Sequence, residues 1–208
     1  DQINDKVNNH THDIIIPENF DTTLLNRCIG DNNNNNNNHI IQDNIELKQY
    51  ISQKLCPSDT LTCLISYYDS ITDTYYQWYS LLPYYTGYVV GTGDLTASLI
   101  IAHLQQYEKC NNNFNHITND NNSFQYIPEA ISKAIATVSI VVRATILRQS
   151  FYQYLFEQSQ SDVHDNGSNS SDNDDITFKL TLPPRELWLV GVREQFLNPI
   201  AELKYHKI

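Results

Sequence analysis

Methionine is absent from these 208 residues. A complete translation product begins with an initiator methionine, so a chain that starts at Asp1 and has none reads as a fragment or a processed product. Basic residues are scarce: 13 Lys and Arg stand against 24 Asp and Glu, a formal net charge of −11. Such acidity repels a phosphodiester backbone, and no Lys/Arg cluster supplies the counterion-releasing patch that nucleic-acid binding needs. No nucleic-acid partner is expected. Long apolar runs are missing as well. Leu95 to Leu104 and Ile135 to Leu147 are interrupted by Thr, Ser, His or Arg, and neither reaches the ~20 apolar residues of a bilayer span. No membrane association is expected, and no basic start followed by an apolar core marks a secretory signal. Cys28, Cys56, Cys63 and Cys110 lack C-x-x-C spacing, which indicates neither a metal site nor a redox pair. Ordinary thiols in a reducing cytoplasm are the expectation.

What is present fits one domain over 1–208. Three polar low-complexity stretches, 31–39, 110–123 and 159–175, lack the apolar residues that could offset the entropy of ordering. They read as disordered surface insertions in loops. The remainder is strongly patterned. His12 to Ile16 is a short apolar β-run ended by Pro17, and a helix follows from Asp21 with Leu24 and Leu25 on one face. Apolar residues at 45, 47, 51 and 55 predict a helix stopped before Pro57. Leu61 to Tyr68, Thr74 to Leu82 and Tyr84 to Val90 read as strands. Helices are expected from Asp94 to about Lys109, and from Pro128 through Ile131, Ile135, Val138, Val142 and Ile146. Ile176 to Leu182 and Leu187 to Val190 have β character. Helices alternating with β-runs predict a layered α/β sheet.

The segment richest in chemistry is Gly91-Thr92-Gly93-Asp94, between Tyr88-Val89-Val90 and Leu95-Thr96-Ala97-Ser98-Leu99. Two glycines can take positive φ and let backbone approach a ligand, and the free N–H groups of a helix start favour an anion. Asp94 then stands beside that anion as a proton acceptor, which suits phosphoryl transfer. The plainer reading is a strand-to-helix turn with Asp94 as an N-cap. The almost continuously apolar run after Asp94 predicts a buried helix, which places the carboxylate at the inner end of a packed element.

Three separated segments, in order, resemble the C-terminal part of pyridoxal kinases, in the ribokinase-like superfamily. Ile14-Ile15-Ile16-Pro17-Glu18-Asn19-Phe20-Asp21 with Leu24-Leu25 looks like the family's I-T-P-N-x-F-E-x-x-x-L segment. Tyr88 to Leu95 is similar to its G-T-G-D-L motif, and Pro184 to Val190 with Phe196 to Pro199 resembles its closing E-L-x-L-V and N-P segments. Thr62-Cys63-Leu64-Ile65-Ser66 fits its strand ending in T-S near the nucleotide. The resemblance implies a ribokinase-like layered α/β fold whose N-terminal half is missing. It implies ATP-dependent phosphorylation of the 5′-hydroxyl of pyridoxal, pyridoxine or pyridoxamine, with Mg²⁺ and a possible monovalent cation, in a cytoplasmic homodimer.

By the same resemblance Asp94 is the catalytic base facing the substrate, and Gly91, Thr92 and Gly93 offer N–H groups to the transferring phosphate. Ser66 and Tyr67 lie beside the nucleotide, Glu18 lies near its phosphates, and Asp21 supports Mg²⁺. The chain departs from the family where Ile16 replaces Thr, Glu18 replaces Asn, Asp21 replaces Glu and Tyr67 replaces Ser. These changes keep open a catalytically impaired pseudo-kinase or scaffold, and another small-molecule kinase of the superfamily. His103 reads as a structural histidine, the Tyr-rich run from Tyr75 to Tyr88 as sheet packing, and Arg143 and Arg148 as solvated on an outer helix face.

Overall fold

The computed structural model describes residues 14–15, 20–30, 45–57, 59–113, 126–164, 186–197 and 202–208. Glu18, Ile16, the strand expected at Ile176 to Leu182 and the insertion at 31–39 lie outside them.

One helix organises these residues. Helix α4 (Tyr126–His164) packs against α1 (Phe20–Gly30), α2 (Ile45–Leu55) and α3 (Thr92–Asn113). It also meets the strands β3 (Thr74–Tyr84) and β4 (Glu202–Leu203), the 3-10 turn Val190–Val192 and the short α5 (Arg193–Leu197). Each flanking helix has a sequence reason to lie on it. In α2, Leu47, Ile51 and Leu55 recur at helical spacing and are all buried, and Pro57 prevents continuation. In α1, Phe20, Leu24 and Cys28 form the buried stripe, with Asp21 in the first turn and Arg27 in the last, the signs that complement the helix dipole. Pro128 sits in the first turn of α4, where its missing N–H leaves no helical bond unmade. Ala130, Ala134, Ile140, Val141, Ala144, Leu147 and Phe151 are then fully buried along it.

The sheets are small and antiparallel. β1 (Ile14–Ile15) pairs with β4, and a second sheet has the order β2 (Asp59–Asp69), β3, β5 (His206–Lys207). Mixed α/β composition is therefore observed, and the strands among the described residues form two small antiparallel sheets, not one layered sheet. The reason is local. Only Ser70–Asp73 separates β2 from β3, and so short a connection permits a hairpin but not the crossover that parallel strands need. The turn is held by Asp69, whose carboxylate accepts the Ile71 N–H at 3.0 Å and the Thr72 hydroxyl at 2.5 Å. Asp73 takes φ 52° there.

Other expectations are corrected. No strand runs from Tyr84 to Val90: β3 ends at Tyr84, and Val90 makes only an isolated parallel bridge to Glu186. The segment is anchored by Tyr85, which is buried, and by Gly87, which stands against the Ile146 side chain, while Tyr84, Tyr88 and Val90 are exposed. Leu187 to Val190 likewise leaves the β form. The Trp188 N–H donates to Thr145 Oγ1 at 3.0 Å, and Val192 N–H to the Leu189 carbonyl at 3.2 Å closes the 3-10 turn. Two of the polar insertions are partly helical, since α3 runs to Asn113 and α4 to His164.

Helix α3 is not the buried helix expected. It lies on α4 by one face, and Ile101 is 57% exposed. The bilayer expectation changes too, because Tyr126–Gln158 is long and apolar enough to cross a membrane by length and composition. Its scattered Ser and Thr residues, Lys133, Arg143 and Arg148 still leave a stretch with a mean hydropathy of 1.7, and 61% of that stretch is buried inside the fold, as in a helix that forms a protein core.

Candidate functional site

The Gly91-to-Asp94 turn is built by one backbone requirement. Gly91 has φ +88°, which L side chains adopt only with strain, and its carbonyl accepts the Leu95 N–H at 3.1 Å, the first bond of α3. Thr92, Gly93 and Asp94 thus form the first helical turn, whose N–H groups have no earlier carbonyl to meet. The space beside Gly93 is open: a Cβ built there meets nothing within 4 Å. Only Gly91 uses positive φ; Gly93 is helical, and its value lies in leaving the backbone uncovered. Asp94 is exposed in that turn, not at the inner end of a packed element. A carboxylate there complements the helix dipole and stays accessible to a ligand.

Gly91→Ala is expected to destabilise the protein by about 1–2 kcal/mol, the cost of a left-handed backbone for a residue with Cβ. The new methyl group meets Leu187 Cδ1 at an ordinary 3.6 Å, so the cost is conformational and not steric. Urea midpoints measure it. A loss no larger than that of an exposed surface substitution would show that the turn relaxes freely.

Beside this turn lies a cavity of about 320 Å³ that brings Thr92 together with Leu61, Tyr84, Tyr85, Gly87 and Val142. Ser66 and Tyr67 do not line it. At ~3.3 Å per strand residue Ser66 stands about 17 Å beyond Leu61, exposed and paired with Gln77. Tyr67 is half-buried, its ring 6.5 Å from Tyr76, itself stacked on Trp78 at 6.2 Å. Tyr68 and Tyr75 pair at 4.7 Å. These are the cross-strand and same-face ring contacts of a sheet.

Asp21 has a different partner from the one expected. Arg143 Nε donates to its Oδ1 at 2.8 Å and Arg143 Nη2 donates to its Oδ2. Arg143 Nη1 donates to the Tyr85 hydroxyl at 2.8 Å, so the side chain joins α1, α4 and the segment after β3. Arg143 is therefore not on a solvated outer face; its side chain is only 19% exposed. Burial works against its charge, but the hydrogen bonds and charges of Asp21 and Tyr85 outweigh burial and raise its proton affinity. Arg148 is corrected likewise, lying over the Trp188 ring at 5.2 Å and the Tyr152 ring at 5.5 Å. Replacement of Arg143 by Gln is expected to cost about 1–3 kcal/mol, because Asp21 and Tyr85 lose their partner in a half-buried position. A urea midpoint within error of the native protein would show that the network contributes nothing.

The sequence carried a usable signal for Arg143. A lone cation in the stretch Ile140 to Leu147, where Thr145 is the one other polar residue, is rarely buried without an acid to pair with. The guanidinium already brings to Asp21 the positive charge that a divalent cation brings, and among the described residues no three His, Cys, Asp or Glu side chains come together. Asp21 as paired does not fit the role of a metal ligand. His103 is half-buried on α3; burial and the nearby Lys133 charge hold its imidazole below the usual range, in keeping with a structural role. No protein-family model matches the sequence, and no curated protein matches it.

Proposed function

We propose that this chain is part of a phosphotransferase resembling pyridoxal kinases, acting on the 5′-hydroxyl of a B6 vitamer with MgATP as the phosphoryl donor. Helix α3 starts at a turn that only glycine enters without strain, with an uncovered backbone at Gly93 and an exposed carboxylate at Asp94. That combination is the observation that carries the reading. In it the N–H groups of Thr92, Gly93 and Asp94 receive the transferring phosphoryl group. Asp94 accepts the proton of the attacking hydroxyl. Placement in the cytoplasm and assembly as a homodimer belong to the same proposal. The assay is phosphorylation of pyridoxal by the full-length protein with MgATP, compared between native protein and Asp94→Asn. No turnover by the native protein overturns the reading.

A second reading has its own support. The Asp21–Arg143 pair and the position of Ser66 outside the cavity beside the turn favour a relative of the same kinases that has kept the phosphate-binding turn but not turnover. It is distinguished by nucleotide binding, measured calorimetrically, without phosphate transfer.

A further inference from the structure

Strand β2 is joined to β3 by an unbroken register from Asp59↔Tyr84 to Asp69↔Thr74. Among the described residues no strand pairs with its other side, so β2 is an edge of the sheet β2, β3, β5. An edge strand presents a row of unpaired N–H and C=O groups, and proteins blunt such edges with Lys, Pro, bulges or very short strands. β2 has none of these. It runs for 11 residues without a bulge, and its sequence contains no Lys, Arg, Pro or Gly. Its apolar side chains are also uncovered, with Leu61 51% and Leu64 61% exposed.

The strand is complementary to itself. When two identical strands pair antiparallel about a two-fold axis, the residue on the axis faces its own copy and every other pair occurs twice. With Cys63 on the axis, Leu61 stands opposite Ile65 of the second copy and Thr60 opposite Ser66, apolar against apolar and hydroxyl against hydroxyl. The charges at the strand ends select this register. An axis at Leu64 sets Asp59 opposite Asp69, and like charges directly opposite are destabilising. An axis at Thr62 sets Asp59 against the buried Ile65, and one at Ile65 sets Asp69 against Leu61. Only the axis at Cys63 keeps both acids away from each other and from aliphatic partners.

We propose that β2 is the contact between two copies of this chain, paired antiparallel about Cys63 into one continuous sheet of the order β5, β3, β2, β2, β3, β5. The proposal gives a surface to the homodimer of the preceding section and does not depend on phosphotransfer, so the two can fail separately. Residues directly opposite in an antiparallel pair have Cα atoms about 4.5–5.5 Å apart, within the ~4.4–6.8 Å that a disulfide spans. Cys63 is a free thiol, and its pairing with its own copy reports the register.

Light scattering of the full-length protein is expected to give twice the chain mass. Oxidation by copper–phenanthroline is expected to yield a Cys63–Cys63 linked peptide, read by mass spectrometry. Cys63→Ser is expected to lose that peptide and keep the dimer. Leu64→Lys places a charge on the edge at an exposed position and is expected to weaken dimerisation about tenfold or more, with an unchanged circular dichroism spectrum. Thr62→Lys, also exposed and on the same face, repeats the test with a different side chain removed. A monomeric native protein, a dimer that both lysine variants leave intact, or a cross-link that forms only through another cysteine overturns the proposal. A complex whose mass is not a multiple of the chain's, the sign of a different partner on this edge, overturns it as well.

Discussion

Asp94→Asn is expected to lower turnover of pyridoxal by the full-length protein by about 10²–10⁴-fold, the usual weight of a positioned general base. Its effect on stability is expected to stay below about 1 kcal/mol. The separation of the two effects is what makes the variant informative. Asp94 is exposed and has no hydrogen-bond or ion-pair partner among the described residues, so the isosteric amide removes the charge and basicity without leaving a buried group unpaired. Only the weak interaction with the dipole of α3 is lost from the folded state. In the transition state the loss is larger, because the amide cannot take the proton from the attacking hydroxyl as oxygen–phosphorus bonding develops. On the proposed reading the change belongs in kcat, while KM for MgATP is expected to move little, because that reading gives nucleotide binding to the N–H groups of Thr92 and Gly93. Steady-state kinetics on both proteins checks this. Equal kcat would remove Asp94 from the chemistry and leave it as a helix-start carboxylate.

The elements were read from the sequence where one physical signal dominated. The 3.6-residue recurrence of Leu47, Ile51 and Leu55 before Pro57 defines α2 to the residue, and alternation with aromatic enrichment locates β2 and β3. Tyr84 to Val90 and Leu187 to Val190 have strand-like sequences but are not strands, for a shared reason. An apolar, β-branched run reads as a strand, but in these segments only Tyr85 and Trp188 are buried, while Tyr88, Val90, Leu189 and Val190 are exposed, and anchoring by single side chains takes the place of a ladder. Sheet arrangement was illegible because it depends on which strand ends meet; the single bridge Val90 to Glu186 is the one parallel contact among the described residues. The positive φ at Gly91 was legible in the glycine itself. The Asp21–Arg143–Tyr85 network was not, since its members are far apart in sequence and only the packing of α1 on α4 brings them together.

That packing makes Phe151→Ala the substitution with the largest expected effect on stability, a loss of about 3–5 kcal/mol. Phe151 is 0% exposed and is the bulkiest of the fully buried side chains. Truncation removes its transfer energy and leaves a void, and α4 has little freedom to collapse into it. The helix is held along its length by α1, α2, α3, β3 and the turn at Val190, so a shift that closes the void at one contact opens another. A protein with a total stability of roughly 5–15 kcal/mol then loses a large share of it. Phe151→Leu restores most of the volume and is expected to cost under about 1.5 kcal/mol. Phe156→Ala is the control on the same helix; at 38% exposure it buries less apolar area and leaves an opening to solvent instead of a void. Urea unfolding of the three variants, with midpoints compared at unchanged slope, orders them. If Phe151→Ala loses no more than Phe156→Ala, the core does not lie along α4, and the positioning of Arg143 against Asp21 loses its structural basis.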